Sequence, residues 1–211
     1  MTIKTFIFNP FQENTYLLYD ESKEAIIIDA GCLYKNEEQI LQNFIADNNL
    51  VLKRVINTHL HLDHQFGNRF LFDTYGIAPE AHADDEILNN TYERQLMVFG
   101  IDKAGKAQKL KGYLSDNEII KFGNSELTAI HCPGHSPGSL VFYSKSDNCI
   151  FAGDVLFRGS IGRTDLPGGD YSTLIHSITN RLLVLPESTL VYSGHGPCTS
   201  IDYEKQHNPF I

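Results

Sequence analysis

Four side chains able to hold a metal ion fall within six positions: His59, His61, Asp63 and His64, in the stretch Thr58-His-Leu-His-Leu-Asp-His64. The chain has nine histidines in 211 residues, so three of them beside a carboxylate at this spacing are not incidental. Neutral imidazole with ionised carboxylate suits borderline divalent metals, zinc first and also iron or manganese. Three later segments share one grammar. Ala129-Ile-His-Cys-Pro-Gly-His135, Cys149-Ile-Phe-Ala-Gly-Asp154 and Leu190-Val-Tyr-Ser-Gly-His195 each run from apolar residues through glycine to a donor. The seven donors exceed what one tetrahedral zinc needs. They suffice for two ions, with His59, His61 and His135 against Asp63, His64 and His195 as terminal donors, and Asp154 as a shared carboxylate.

Each donor must be presented at the end of a rigid element. The run Val51-Leu-Lys-Arg-Val-Ile-Asn57 precedes the first cluster, so four apolar strands end in a donor on the same side. Loops at strand ends are where a scaffold carries chemistry, and glycine before a donor allows close backbone approach. Strands are also expected over 2–8, 15–19, 25–29, 118–122, 127–131, 140–144, 149–152 and 189–193. The continuous apolar run Ala25-Ile-Ile-Ile28 suits a strand covered on both faces. Helical spacing marks 36–48, with Asn36 as N-cap, and also 67–75, 83–98 and 171–185. Asp84, Asp85 and Glu86 read as a solvated acidic first turn of the third of these. Residues 99–111 and 159–169 read as loops. Two strand-rich halves, each with helices, predict one α+β domain over 1–211: two mixed β-sheets packed face to face, helices outside.

The formal charge is −9 with no dense Lys/Arg cluster, which argues against nucleic acid or an anionic membrane as partner. No run of eighteen apolar residues occurs, and the N-terminus lacks a signal-type apolar core, so a cytoplasmic location is expected. Cys32, Cys132, Cys149 and Cys198 are scattered and fit reduced thiols, with Cys132 and Cys198 read as buried. His82, His131, His176 and His207 fall outside the donor pattern and read as surface or packed residues. Asp29, at a strand end, is a candidate for tying down a ligand imidazole.

The pattern THxHxDH…GH…GD…GH resembles the metallo-β-lactamase superfamily, and within it the glyoxalase II (hydroxyacylglutathione hydrolase) group. The resemblance runs from Asp29-Ala-Gly31 to His195. It implies a four-layer αββα sandwich with the metals at one edge. It assigns His59, His61 and His135 to the first ion, Asp63, His64 and His195 to the second, and Asp154 to both. Two dications carry +4; Asp63 and Asp154 remove two units and a shared hydroxide one more, leaving about +1. Such a hydroxide attacks an acyl carbonyl, with Asp63 and Asp154 as the catalytic carboxylates.

The implied substrate is a small-molecule acyl thioester, of the S-lactoylglutathione-like 2-hydroxyacyl type. The chain resembles the short, single-domain members, because the helical C-terminal domain that supplies glutathione contacts in larger ones has no counterpart after His195. Arg163 matches the basic residue that the larger members place beyond the shared aspartate, whereas Asp165 and Gly196-Pro197 stand where those larger members have tyrosines. Arg158 and Arg163 are candidate contacts for a substrate carboxylate, with a pair to Asp165 as the competing role. A second reading comes from the persulfide dioxygenases, which share the scaffold and a Gly-Arg-Thr-Asp segment like Gly162 to Asp165 but use one iron and dioxygen.

Overall fold

The computed structural model describes residues 1–101 and 105–211; within the loop expected at 99–111, residues 102–104 lie outside the described residues. Strands β1 (Thr2–Phe8), β2 (Glu13–Tyr19), β3 (Glu24–Ile28), β4 (Val51–Ile56), β5 (Pro79–Ala81) and β6 (Gly112–Tyr113) form one sheet in chain order. Its β1-β2-β3 part is antiparallel and its β3-β4-β5-β6 part parallel. The second half contributes β7 (Ile119–Phe122), β8 (Ser125–His131), β9 (Leu140–Ser144), β10 (Cys149–Gly153), the small hairpin β11 (Leu156–Phe157) and β12 (Ser160–Ile161), then β13 (Leu190–Ser193) and β14 (Thr199–Ser200). These make a second sheet in the order β14-β13-β10-β9-β8-β7, with β11 and β12 paired apart from it. Helices are α1 (Lys35–Asp47), α2 (Asn68–Tyr75), α3 (Glu86–Asn90), α4 (Tyr92–Phe99), α5 (Tyr171–Ser177) and α6 (Ile201–His207).

Strand alternation sorts the core into layers. Ile26, Ile28 and Ile56 face Phe122, Leu127, Phe142 and Phe151 between the sheets. On the far side of the first sheet, Ala25, Ile27 and Val55 pack on Leu41 and Ile45 of α1 and Leu71 of α2. Outside the second sheet, Ile130, Val141, Ile150 and Val191 meet Leu174 of α5, Ile178, Leu182 and Ile201 of α6. The result is the expected αββα sandwich, and β3 is buried from Ala25 to Ile28 because both of its faces are covered. Among the described residues, no helix is long and apolar enough to cross a membrane.

Three expectations need correction. The helix expected over 83–98 is broken into a tight turn at Ala83–Asp85, then α3 and α4. At the break, Thr91 Oγ1 donates back to the Ile87 carbonyl at 2.8 Å, a local bond that competes with helix continuation. Asn36 is not the cap of α1, which begins at Lys35: Glu37 reaches back to accept the Leu33 and Tyr34 amides at 2.8 and 3.1 Å. The helix expected to Leu185 ends as α5 at Ser177 and continues as a wider turn, in which the Leu183 amide donates to Ile178.

Candidate metal centre

Four strand ends deliver the donors to one edge of the sandwich. His59, His61, Asp63 and His64 follow β4, His135 follows β8, Asp154 follows β10 and His195 follows β13. Parallel pairing of β10 with β13 brings the last two loops side by side, and the Gly194 amide donates to the Gly153 carbonyl at 2.8 Å. Glycine is required there. A Cβ at Gly194 would run into Asp154 Oδ1 and His64 Cε1, and Gly153 has a φ of 49° with no room beside the Thr58 side chain.

Two donor sets result. His61 Nδ1 lies 2.8 Å from His135 Nε2, which lies 3.3 Å from His59 Nε2. His64 Nε2 and Asp63 Oδ2 lie 3.3 and 3.2 Å from His195 Nε2. Asp154 spans the two, with Oδ1 3.4 Å from His64 Nε2 and Oδ2 3.6 Å from His135 Nε2. Two donors on one tetrahedral zinc at ordinary bond lengths sit about 3.3 Å apart, so both sets are spaced as chelates. Asp154 Oδ1 is buried and has no hydrogen-bond partner among the described residues, which fits a carboxylate built for a cation. The residues present therefore fit divalent metal ions.

The far nitrogens of four imidazoles are pinned. His59 Nδ1 meets Thr58 Oγ1 at 3.0 Å and His64 Nδ1 meets Asp29 Oδ2 at 3.0 Å. His135 Nδ1 meets the Arg163 carbonyl at 2.8 Å and His195 Nδ1 the Phe11 carbonyl at 3.0 Å. Each ring thus turns Nε2 inward; His61 alone presents Nδ1. Asp29 takes the role expected of it, and the Thr58 amide and hydroxyl donate to the same carboxylate at 2.7 and 2.6 Å.

Electrostatics separate the two sets. Burial, then the neighbouring imidazoles, hold His59 well below its ordinary pKa, and burial with His135 lowers His61 to about 3. These two rings are thereby kept neutral. Burial also works to lower His64, but Asp154, Asp63 and Asp29 outweigh it and raise that ring, and Asp63 and Asp154 do the same at His195. Burial would raise Asp63 and Asp154, yet His64 above all keeps both below the ordinary carboxylate range.

A cavity of about 750 Å³ opens over the donors, within the range of small-molecule sites. Its walls include Ile87, Leu88, Val98, Phe99, Leu166 and Pro167, with Phe11 beside them. Arg163 lines it, but Asp165 grips its guanidinium through two bonds of 2.7 Å. Arg158 is not among its lining residues; its guanidinium lies 5.0 Å over the Tyr203 ring of α6. Arg94, which the sequence did not single out, lines the cavity from α4. A separate depression of about 840 Å³ between α1 and α2, bordered by Glu38, Arg69 and Asp73, contains none of the donors.

Asp85 is the sharper correction. It is fully buried rather than solvated, and accepts the Leu60 amide, the Ser136 hydroxyl and the Gly138 amide. Burial raises its carboxyl above the ordinary range, against the pull of those bonds. Cys132 is buried as expected, whereas Cys198 is exposed. His82 and His131 stack with ring centroids 4.1 Å apart and planes 11° from parallel. Their near-parallel rings cannot aim in-plane lone pairs at one ion, although Asp84 stands close by.

Comparison with known proteins shows the family. The model of the metallo-beta-lactamase superfamily matches residues 8–195. The chain is 36% identical over 212 residues to the hydroxyacylglutathione hydrolase GloC of Haemophilus influenzae, covering 100% of this chain and 98% of the relative. Among solved structures, the BLEG-1 B3 metallo-beta-lactamase superposes with a TM-score of 0.87 at 36% identity, over 99% of both chains. TTHA1623 in a di-iron-bound form gives 0.86 at 33% over 100% of both, and ETHE1 of Myxococcus xanthus 0.80 at 27% over 99% of this chain and 84% of that one. By its sequence match from end to end, the chain belongs to the metallo-β-lactamase superfamily.

Proposed function

We propose that the chain is a binuclear metal hydrolase that cleaves a small acyl thioester of the 2-hydroxyacyl type. His59, His61 and His135 would hold one divalent ion, Asp63, His64 and His195 the other, and Asp154 both. The observation that carries this reading is Asp154: its carboxylate reaches both donor sets, and its buried Oδ1 makes no hydrogen bond among the described residues. Bound there, two dications, zinc in the first instance, would supply Lewis acidity toward a carbonyl oxygen and an activated water near neutral pH. The chain does the rest. Asp63 and Asp154 provide the negative charge that balances the ions, and the pinned Nδ1 atoms keep the rings aimed. The apolar walls exclude water and seat an acyl or thiol group, while Arg94 stands ready for an anionic end of the substrate. Similarity to a hydroxyacylglutathione hydrolase along the whole chain supports the thioester class.

A one-iron persulfide dioxygenase is the second reading, favoured by the likeness to ETHE1 and by the Gly162-Arg-Thr-Asp165 segment. It leaves the pairing of Asp63 with His195 at 3.2 Å without a task. Metal analysis of the purified protein, paired with two assays, separates the readings. Two ions per chain with S-lactoylglutathione cleavage supports the hydrolase; one iron per chain with persulfide-dependent oxygen uptake sinks it.

A further inference from the structure

The buried carboxylate of Asp85 joins two loops that are distant in sequence and that carry all three donors of the first set. Its Oδ2 accepts the Leu60 amide and the Ser136 hydroxyl, both at 2.9 Å, and its Oδ1 accepts the Gly138 amide at 2.6 Å. Leu60 lies between His59 and His61, and Ser136 directly follows His135. The Leu60 peptide is held from its other side as well, because Gln65 Nε2 donates to its carbonyl at 2.5 Å. All three partners of Asp85 are donors, which suits an ionised, acceptor-only carboxylate. The fit is close, since a Cβ at Gly138 would strike Asp85.

No comparable contact runs from Asp85 to the second set. His64 is pinned by Asp29, and His195 by the Phe11 carbonyl. The span between His61 Nδ1 and His135 Nε2 is set across these two loops, and a buried three-donor clamp fixes that span more firmly than either loop alone. We infer that Asp85 is the positioning residue of the first donor set, locking the His59–His61 loop to the His135 loop and thereby setting the affinity of that ion selectively. Asp85 also ends the turn that leads into α3, whose Ile87 and Leu88 line the cavity, so the same clamp registers the cavity wall against the donors.

The inference rests on the two-ion reading and is tested by metal affinity rather than turnover. Zinc is titrated into the chelator-stripped full-length protein against a chromophoric competitor. Backgrounds that each leave one set complete assign the ions: His195→Ala keeps the first set, His61→Ala the second. Asp85→Ala should weaken zinc about 10–100-fold in the His195→Ala background, the usual effect of losing an outer support of a ligand, and leave the His61→Ala background within about twofold. Equal weakening in both backgrounds, or none in either, overturns the inference. If Asp85→Ala does not fold, Ser136→Ala removes one of the three bonds and should show the same selectivity at smaller size; absence of selectivity there overturns it equally. A wild-type chain that binds no second zinc would instead refute the two-ion reading itself.

Discussion

Asp29 Oδ2 lies 3.0 Å from His64 Nδ1 while the same carboxylate accepts the Thr58 amide and hydroxyl at 2.7 and 2.6 Å. Thr58 Oγ1 in turn touches His59 Nδ1 at 3.0 Å, so one side chain supports a ring in each donor set. Asp29 sits at a φ of 53°, a conformation that places its side chain under the loop. Asp29→Ala should therefore weaken both ions, each by about tenfold or more, in contrast with the selective effect expected at Asp85. Competitive zinc titration checks this, and loss confined to one ion contradicts it.

Asp154 carries more of the centre than any other donor, because it is the one that approaches both sets. Asp154→Asn keeps the volume and removes the charge. It should leave thioester turnover below about 1% of wild type and reduce bound metal to one ion or fewer, since a neutral amide neither balances nor spans two dications. Metal content measured on the same sample as the rate decides the matter; full activity would refute the shared role.

The donors were legible in the sequence because their information lies in residue type and spacing after apolar runs, which survives without tertiary knowledge. The longer strands of the sandwich were legible for the same reason. Asp85 was not. An acidic residue at the start of a helix is ordinarily solvated, and its burial comes from partners 51 and 53 residues away. Asn9 and Asn14 escaped notice likewise: Asn9 Nδ2 donates to the Asp63 carbonyl at 3.0 Å and Asn14 Nδ2 to the Ser193 carbonyl at 3.0 Å, bracing ligand loops from the β1–β2 turn and from β2. β5, β6 and β14 span two or three residues each and show no period to read.

Asp20 ties the two sheets together away from the centre. Its Oδ1 accepts the Ser22 amide and hydroxyl, and its Oδ2 the Asn124 amide and Ser125 hydroxyl from the β7–β8 turn. Burial opposes ionisation, but the bonds from Ser22, Ser125 and Asn124 outweigh it and bring the carboxyl down to about 2 from 3.8. A folded-state pKa below the unfolded one gives stability that is present above the unfolded value and lost as pH falls through the folded one. Asp20→Asn should lower Tm by about 2–4 °C at pH 7, with the gap to wild type closing between about pH 4 and pH 2. Thermal melts of both proteins across that range check it; a gap that persists unchanged at pH 2 contradicts the linkage.

Arg94 projects from α4 into a cavity whose other lining arginine, Arg163, is committed to Asp165. Among the described residues no acidic side chain pairs with Arg94, whereas Arg54, Arg69, Arg163 and Arg181 each have such a partner. An arginine facing apolar walls in a chain of charge −9 favours a substrate with an apolar body and one anionic group. A hydrogen bond to a charged group contributes about 1.5–3 kcal/mol, or roughly a 10–100-fold change in binding. Arg94→Ala should raise KM about tenfold or more for a carboxylate-bearing thioester, leave kcat within about twofold, and barely alter a neutral analogue. Arg94→Glu should reverse the preference between the two. Steady-state kinetics with the matched pair of thioesters gives the answer: equal KM changes for both substrates would mean that Arg94 shapes the cavity wall and reads no charge.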